Sequence, residues 1–152
     1  MKWMIYILVL GTALLAPVER SDVENLQPIE AVAIYKESGS VVLKTELGDL
    51  GEGKTLREAL DNLKQTAPGI IYLDTADYLL LGPDTKEYVA ETAEFLKDHV
   101  RLCALEGEPD LQQAVRYLNV HRPKMKLRQW SQDSKLQVLS IEKNRFILSG
   151  EE

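Results

Sequence analysis

The sequence is poor in the residues that most often carry chemistry, with one cysteine and two histidines among 152 residues. Cys103 cannot form an intramolecular disulfide, and it lacks cysteine or histidine neighbours at metal-ligand spacing. His99 and His121 have no partner serine, cysteine or aspartate in a recognisable nucleophile motif, which leaves a hydrolase triad unsupported. The sequence therefore identifies no metal site, no cofactor and no small-molecule substrate.

Positive charge is scarce as well, because 18 lysines and arginines stand against 24 aspartates and glutamates, for a net charge of −6. This sign argues against sequence-independent binding of nucleic acid. The composition, with 45% hydrophobic and 28% charged residues, is typical of a globular protein and excludes a wholly disordered or fibrous chain. The length corresponds to one domain of ordinary size.

The N-terminus begins with an uncharged stretch, residues 3–18, that follows Lys2 and precedes an acidic flank. As a helix, this stretch would span roughly 24 Å, slightly less than the ~30 Å hydrocarbon core of a bilayer. It fits either a signal peptide, which is cleaved, or a marginal membrane anchor, which is not. Residues 11–13 offer a small-residue cleavage pattern, whereas residues 14–17 offer a poor cleavage pattern. The flanking charges favour a cytoplasmic N-terminus, with residues from about 19 onward at the extracytoplasmic face of the cell membrane. A buried N-terminal strand or helix is the alternative interpretation.

Charge divides the rest of the chain near Leu118. Residues 17–118 include 10 basic and 20 acidic side chains, whereas residues 119–152 include 7 basic and 4 acidic ones. We therefore predict three parts: a signal peptide or anchor over 1–18, an acidic domain over 19–118, and a basic C-terminal extension over 119–152.

Hydrophobic patterns predict the element order β-β-α-β-α-β-α-β-β. The predicted elements are strands Ile29–Tyr35 and Ser40–Leu47, a helix from Leu56, the strand-like pieces Ile70–Leu73 and Tyr78–Leu81 that count as one β element, a helix Thr85–Asp98, strand Val100–Leu105, a helix from Pro109, and a closing hairpin Leu136–Ile141 and Arg145–Leu148. Such alternation is typical of a single layered α/β (α+β) domain with a mixed sheet and about three helices.

One segment matches the phosphate-loop pattern G-x-x-x-x-G-K-[ST] between a predicted strand and a predicted helix. The residues of a nucleotide site would be Gly48, Gly53, Lys54 and Thr55, with Asp74 as the metal-binding acid after the next strand. Against this, Asp49 and Glu52 would place negative charge in a loop that must enclose phosphates. Thr55 and Glu58 also fit a capping box for the following helix, with no ligand needed. A small nucleotide-binding protein is therefore the alternative function.

Several short segments carry a family resemblance. They are Glu19–Leu26, Ile29–Ile34, Gly51–Leu63, Ile71–Leu73, Leu79–Gly82 and Val100–Leu105. Together, over about Glu19 to Leu111, they resemble the N-terminal domain of the Ger(x)C family, the C-subunit lipoproteins of bacterial spore germinant receptors. The resemblance implies an exported, membrane-attached, non-enzymatic protein of a spore-former that acts with membrane partners in the germinant response.

The chain departs from that family in two respects. Leu15-Ala16-Pro17 stands where a lipobox would end, so the lipidated cysteine is missing, and the chain ends soon after the first domain. We therefore expect a short single-domain relative that works in the spore envelope, during sporulation or germination, and is tethered by its uncleaved apolar segment.

Two charged clusters remain as candidate sites. One cluster, Glu106, Glu108 and Asp110, precedes a predicted helix. Acidic side chains are favoured at helix N-termini, and this preference explains the cluster as well as a Ca²⁺ site would. Basic residues alternate with apolar ones over 122–128, so on a strand they would share one face, with Trp130 in the same register. The four basic residues are Arg122, Lys124, Lys126 and Arg128. We predict that they contact an anionic lipid surface or an acidic envelope protein, although a merely solvated face is the alternative.

Overall fold

The structure, a computed structural model, describes residues 25–150. Within this range it contains nine strands and three helices. The strands are β1 (Leu26–Pro28), β2 (Ala31–Glu37), β3 (Ser40–Thr45), β4 (Leu50–Gly53), β5 (Ile70–Tyr72), β6 (Tyr78–Leu81), β7 (Arg101–Leu105), β8 (Val138–Glu142) and β9 (Arg145–Ser149). The helices are α1 (Leu56–Thr66), α2 (Val89–Thr92) and α3 (Leu111–Val120).

Seven strands form one mixed sheet in the order β4-β3-β2-β6-β7-β8-β9. The four central strands, β2, β6, β7 and β8, run parallel, and antiparallel hairpins close both sides. β1 and β5 form a separate two-stranded parallel sheet. The predicted α/β domain with a mixed sheet is confirmed.

Both predicted hairpins are also confirmed, as β2–β3 and β8–β9. The second one turns at Lys143 and Asn144, whose φ angles of 49° and 62° are those of a two-residue type I′ turn.

Helices cover both faces of the main sheet, which explains why its central strands are apolar throughout. α1 and α2 pack on one face, where Val32, Leu79 and Leu102 belong to the same buried cluster. α3 packs on the other, with Leu80 and Cys103. The neighbouring residues Leu102 and Cys103 thus point to opposite faces, and both are completely buried. Burial raises the pKa of the Cys103 thiol to about 12, so this cysteine is unreactive.

The predicted helix Thr85–Asp98 is wrong in extent. Only α2 and a preceding 3-10 turn, Lys86–Tyr88, form regular helix there. The hydroxyls of Thr85 and Thr92 are buried and donate to the carbonyls of Gly82 and Val89, so side chain to backbone bonds compete with a continuous helix. His99, which follows the predicted helix, lies in the turn before β7.

The predicted helix from Pro109 begins two residues later. Asp110 is its N-cap, and the carboxylate accepts hydrogen bonds from the backbone N–H groups of Gln112 and Gln113. Pro109 therefore lies just outside the helix rather than in its first turn.

The charge boundary near Leu118 is not a structural boundary. After α3 the chain returns to the main sheet, where β8 pairs with β7 and carries β9 on its far side. The predicted extension over 119–152 is therefore part of the domain as far as residue 150. The predicted signal peptide or anchor over 1–18 lies outside the described residues. Within 25–150, no helix is both long and apolar enough to cross a bilayer.

Candidate anion-binding site

The segment from Gly48 to Thr55 is a turn and an edge strand rather than a phosphate-binding loop. Gly48, at φ +93°, forms the β3–β4 turn, and β4 then pairs antiparallel with β3. Two further backbone donors are bonded to side chains of α1. Glu52 N–H donates to the Asn62 side chain at 2.9 Å, and Lys54 N–H donates to the Glu58 carboxylate at 2.8 Å. The segment therefore does not have the conformation of a phosphate loop, which was the alternative interpretation, and it agrees with a turn that leads into a capped helix.

The other residues of that pattern have structural uses. Thr55 caps α1, accepting the Glu58 N–H on its hydroxyl at 3.2 Å, as the capping box predicts. A Cβ on Gly53 would lie 2.5 Å from the backbone nitrogen of Ala59, so glycine lets β4 pass close to α1. Asp74 lies after β5 in the small sheet, and its carboxylate is 3.4 Å from the Lys97 ammonium.

The acidic cluster before α3 is explained by local structure. Asp110 caps α3, and Glu108 forms an ion pair with Lys44 at 3.0 Å. Over residues 25–150, no group of three or more histidine, cysteine, aspartate or glutamate side chains could hold a metal ion.

The basic segment over 122–128 is not the strand that alternation predicts. It forms a single bridge, Lys126 to Arg101, and then a 3-10 turn, Leu127–Gln129. The cause is that it borders only the first half of β7, where Leu102 N–H donates to the Met125 carbonyl at 2.9 Å. β8 is the partner of the second half.

The alternation itself is nevertheless present in the structure. Arg122, Lys124 and Arg128 are exposed, Lys126 is half-buried, and Pro123 and Leu127 are buried. Trp130 does not share the basic face. It packs against the core, and its indole Nε1 is buried with no hydrogen-bond partner among the described residues.

The structure brings two of the predicted basic residues together with a third. Arg122 and Lys126 line a cavity of about 180 Å³ with Arg101, the first residue of β7. We call Arg101, Arg122 and Lys126 the basic cluster. The Arg101 guanidinium donates to the Pro123 carbonyl at 2.7 Å, which ties β7 to the basic segment.

Asp77, Tyr78 and His99 complete the cavity wall. The Tyr78 hydroxyl is within 2.8 Å of Asn119 Oδ1 and 3.1 Å of the Leu118 carbonyl, the two acceptors available to it. Burial raises the pKa of Tyr78, while the positive charges of Arg122 and Arg101 act in the opposite direction. The positive charges of both arginines therefore lower the pKa of the Tyr78 hydroxyl in the cavity wall, against the effect of burial.

The basic cluster groups three cations around one cavity, and like most cations of residues 25–150 they form no ion pair with a carboxylate. Lys36, Lys44, Arg57 and Lys97 each lie within 4 Å of a carboxylate oxygen. In the described part of the chain, no side chain of the basic cluster lies within 4 Å of a carboxylate oxygen. The carboxylate in the same cavity, that of Asp77, lies 3.7 Å from His99 Nε2. Three cations around a small concave site offer charged donors to a phosphate or carboxylate group.

Sequence analysis missed Arg101 because it opens an otherwise buried apolar strand, and nothing in the sequence relates it to residues more than 20 positions further along. The feature of the sequence that could have pointed to Arg101 is its charge within the apolar run Val100–Leu105. No family model, curated protein or solved structure matches this chain.

Proposed function

We propose that this is a non-enzymatic, exported and membrane-tethered protein of the spore envelope, which acts in sporulation or spore germination by contacting an anionic surface. The observation that carries the proposal is the basic cluster, three cations without carboxylate partners among residues 25–150 of an otherwise acidic chain. The anionic surface is that of the membrane or of an envelope protein.

A weak contact suffices for such a protein. The tether over residues 3–18 keeps the domain close to the membrane, so the second contact forms at high effective concentration. The net charge of −6 works against non-specific adhesion, and the positive charge is concentrated where contact is needed.

The spore role is supported by the resemblance to the Ger(x)C family over Gly51–Leu63 and the neighbouring segments. Within Gly51–Leu63, β4 and α1 are in close contact, and Gly51 and Gly53 lie where they touch.

The experiment uses a spore-former whose gene is deleted and complemented by variants. We expect spores of the deletion strain to germinate more slowly in response to nutrients. Wild type and Lys54→Ala should restore the rate, because Lys54 lies outside the basic cluster, whereas Arg122→Glu/Lys126→Glu should not. Spores that germinate normally without the gene would contradict the germination role, and restoration by every variant except Lys54→Ala would favour the nucleotide-binding alternative.

A further inference from the structure

The small β1–β5 sheet presents an apolar face to solvent. Leu26 pairs with Ile70 and Pro28 with Tyr72, so the four side chains share one face, which we call the apolar face. Leu26, Ile70 and Tyr72 are 36%, 49% and 39% exposed, whereas the intervening Ile71 is buried in the core. Adjoining apolar side chains of this kind mark an interaction surface more often than scattered ones do.

The apolar face lies at the same end of the domain as the basic cluster. Backbone hydrogen bonds connect the two: Ile29 N–H donates to the Tyr72 carbonyl, Asp77 N–H to the Glu30 carbonyl, and Arg101 N–H to the Asp77 carbonyl. Successive neighbours across the sheet are Ala31, Tyr78, Arg101 and Lys126, so Arg101 lies about 10 Å and Lys126 about 14 Å from Ala31 at ~4.8 Å per strand. We call this end, where β2, β6 and β7 begin, the amino edge.

The length of the connection to the tether brings this end close to the membrane. Seven residues, 19–25, separate the apolar stretch over 3–18 from β1. Even fully extended, they reach only about 24 Å at ~3.4 Å per residue. The apolar face starts at Leu26, so it is the first part of the domain after the tether.

Glu30, Glu46 and Asp77 lie at the amino edge, and all three carboxylates have partners. Glu46 accepts hydrogen bonds from the backbone N–H groups of Glu30 and Ala31 at 2.7 and 3.0 Å. Asp77 is 3.7 Å from His99, and Glu30 accepts a hydrogen bond from Asn119 at 3.5 Å. The arginines and lysine of the basic cluster have no such partner in the described range, so the cations of this edge are the groups available to an external anion.

We propose that the amino edge docks on the lipid bilayer, with the apolar face entering the interfacial layer and the basic cluster contacting lipid phosphates. The proposal rests on the proposed function, because it requires the tether. It combines the two features of proteins that lie on anionic membranes: aromatic and aliphatic side chains at the interface, and lysine or arginine beside the headgroups.

A pair of matched fluorescent labels tests the orientation. Ile70, on the apolar face, and Ile141, at the far end of β8, are 49% and 51% exposed. Each is replaced by cysteine in the full chain and labelled with the environment-sensitive dye NBD. Cys103 is buried and has a raised pKa, so it stays unlabelled in the folded protein. The labelled chains are reconstituted into vesicles of phosphatidylcholine with or without one quarter phosphatidylglycerol.

We expect the label at position 70 to shift to the blue and to be quenched by spin-labelled lipid in the anionic vesicles, and to respond much less in the neutral ones. The label at 141 should resemble a label in water throughout. Two results would overturn the docking but not the tether, provided that the chains float with the vesicles and resist carbonate extraction. One is an equal response of the labels at both positions, and the other is a label at position 70 that behaves as it does in water. Chains that do not float would contradict the proposed function itself.

Discussion

Alanine in place of Gly53 is expected to lower the free energy of unfolding by about 3 kcal/mol, because overpacking at a backbone contact forces two elements apart. The added Cβ would lie 2.5 Å from both the Ala59 nitrogen and the Glu58 Cβ. Neither neighbour can yield without a shift of α1, which packs closely against β4. Urea denaturation of the wild type and the variant gives the difference.

Neighbouring residues supply the controls for this prediction. Lys54→Ala should change the free energy of unfolding by less than about 0.5 kcal/mol, since the Lys54 contact with Glu58 is made by its backbone. Thr55→Ala removes the N-cap of α1 and should cost about 1 kcal/mol. A Gly53→Ala variant as stable as wild type would contradict the steric explanation. Saturable, Mg²⁺-dependent ATP or GTP binding that Lys54→Ala abolishes would favour a phosphate site at this segment.

Charge reversal in the basic cluster should have the largest effect on membrane docking. The variant Arg122→Glu/Lys126→Glu loses two cations, each of which contributes about 1 kcal/mol to binding near an anionic surface. We therefore expect the ratio of docked to undocked protein to fall by about 30-fold or more. The readout is the fluorescence of NBD at position 70 in anionic vesicles. High salt should weaken docking of the unchanged protein in the same way, since the Debye length falls from about 10 Å at 0.1 M to about 3 Å at 1 M.

The matched control changes the charge equally at the other end of the domain. Lys143 and Arg145 are exposed at the β8–β9 turn, so Lys143→Glu/Arg145→Glu alters the net charge by the same amount. It should leave docking intact, and both double variants should melt within a few degrees of wild type. Equal losses in the two variants would show that only net charge matters, and an unaffected Arg122→Glu/Lys126→Glu variant would mean that the basic cluster is a solvated face.

Local signals in the sequence were sufficient for much of the fold. Hairpins and helix caps depend on residues close in the chain, so the hairpin turn at Lys143 and the cap at Thr55 follow from short patterns. The helix predicted over Thr85–Asp98 has the right apolar spacing but does not form in full, because the buried Thr85 bonds back to the Gly82 carbonyl at its start and the buried Thr92 bonds to the Val89 carbonyl within it. The phosphate-loop pattern failed because glycine serves equally for a close approach between strand and helix.

The candidate site could be predicted only in part. Alternation marked Arg122 and Lys126 correctly as outward-facing, because Pro123 and Leu127 supply the buried positions between them. The cavity with Arg101 depends on strand neighbours that are distant in sequence, and so does the apolar face, which exists only because β5 leaves the main sheet to pair with β1. Such pairings are set by packing of the whole domain rather than by a local pattern.

The proposed function and the proposed docking both require the domain to lie at the extracytoplasmic face of the membrane, and one measurement tests this directly. Protoplasts that produce the full chain with an epitope tag after Glu152 are treated with protease, intact or after lysis. The charges around residues 3–18 predict that intact protoplasts lose the tag, with everything beyond about Val18 digested, while a cytoplasmic marker survives. A tag that is protected in intact protoplasts and lost only after lysis would contradict the account.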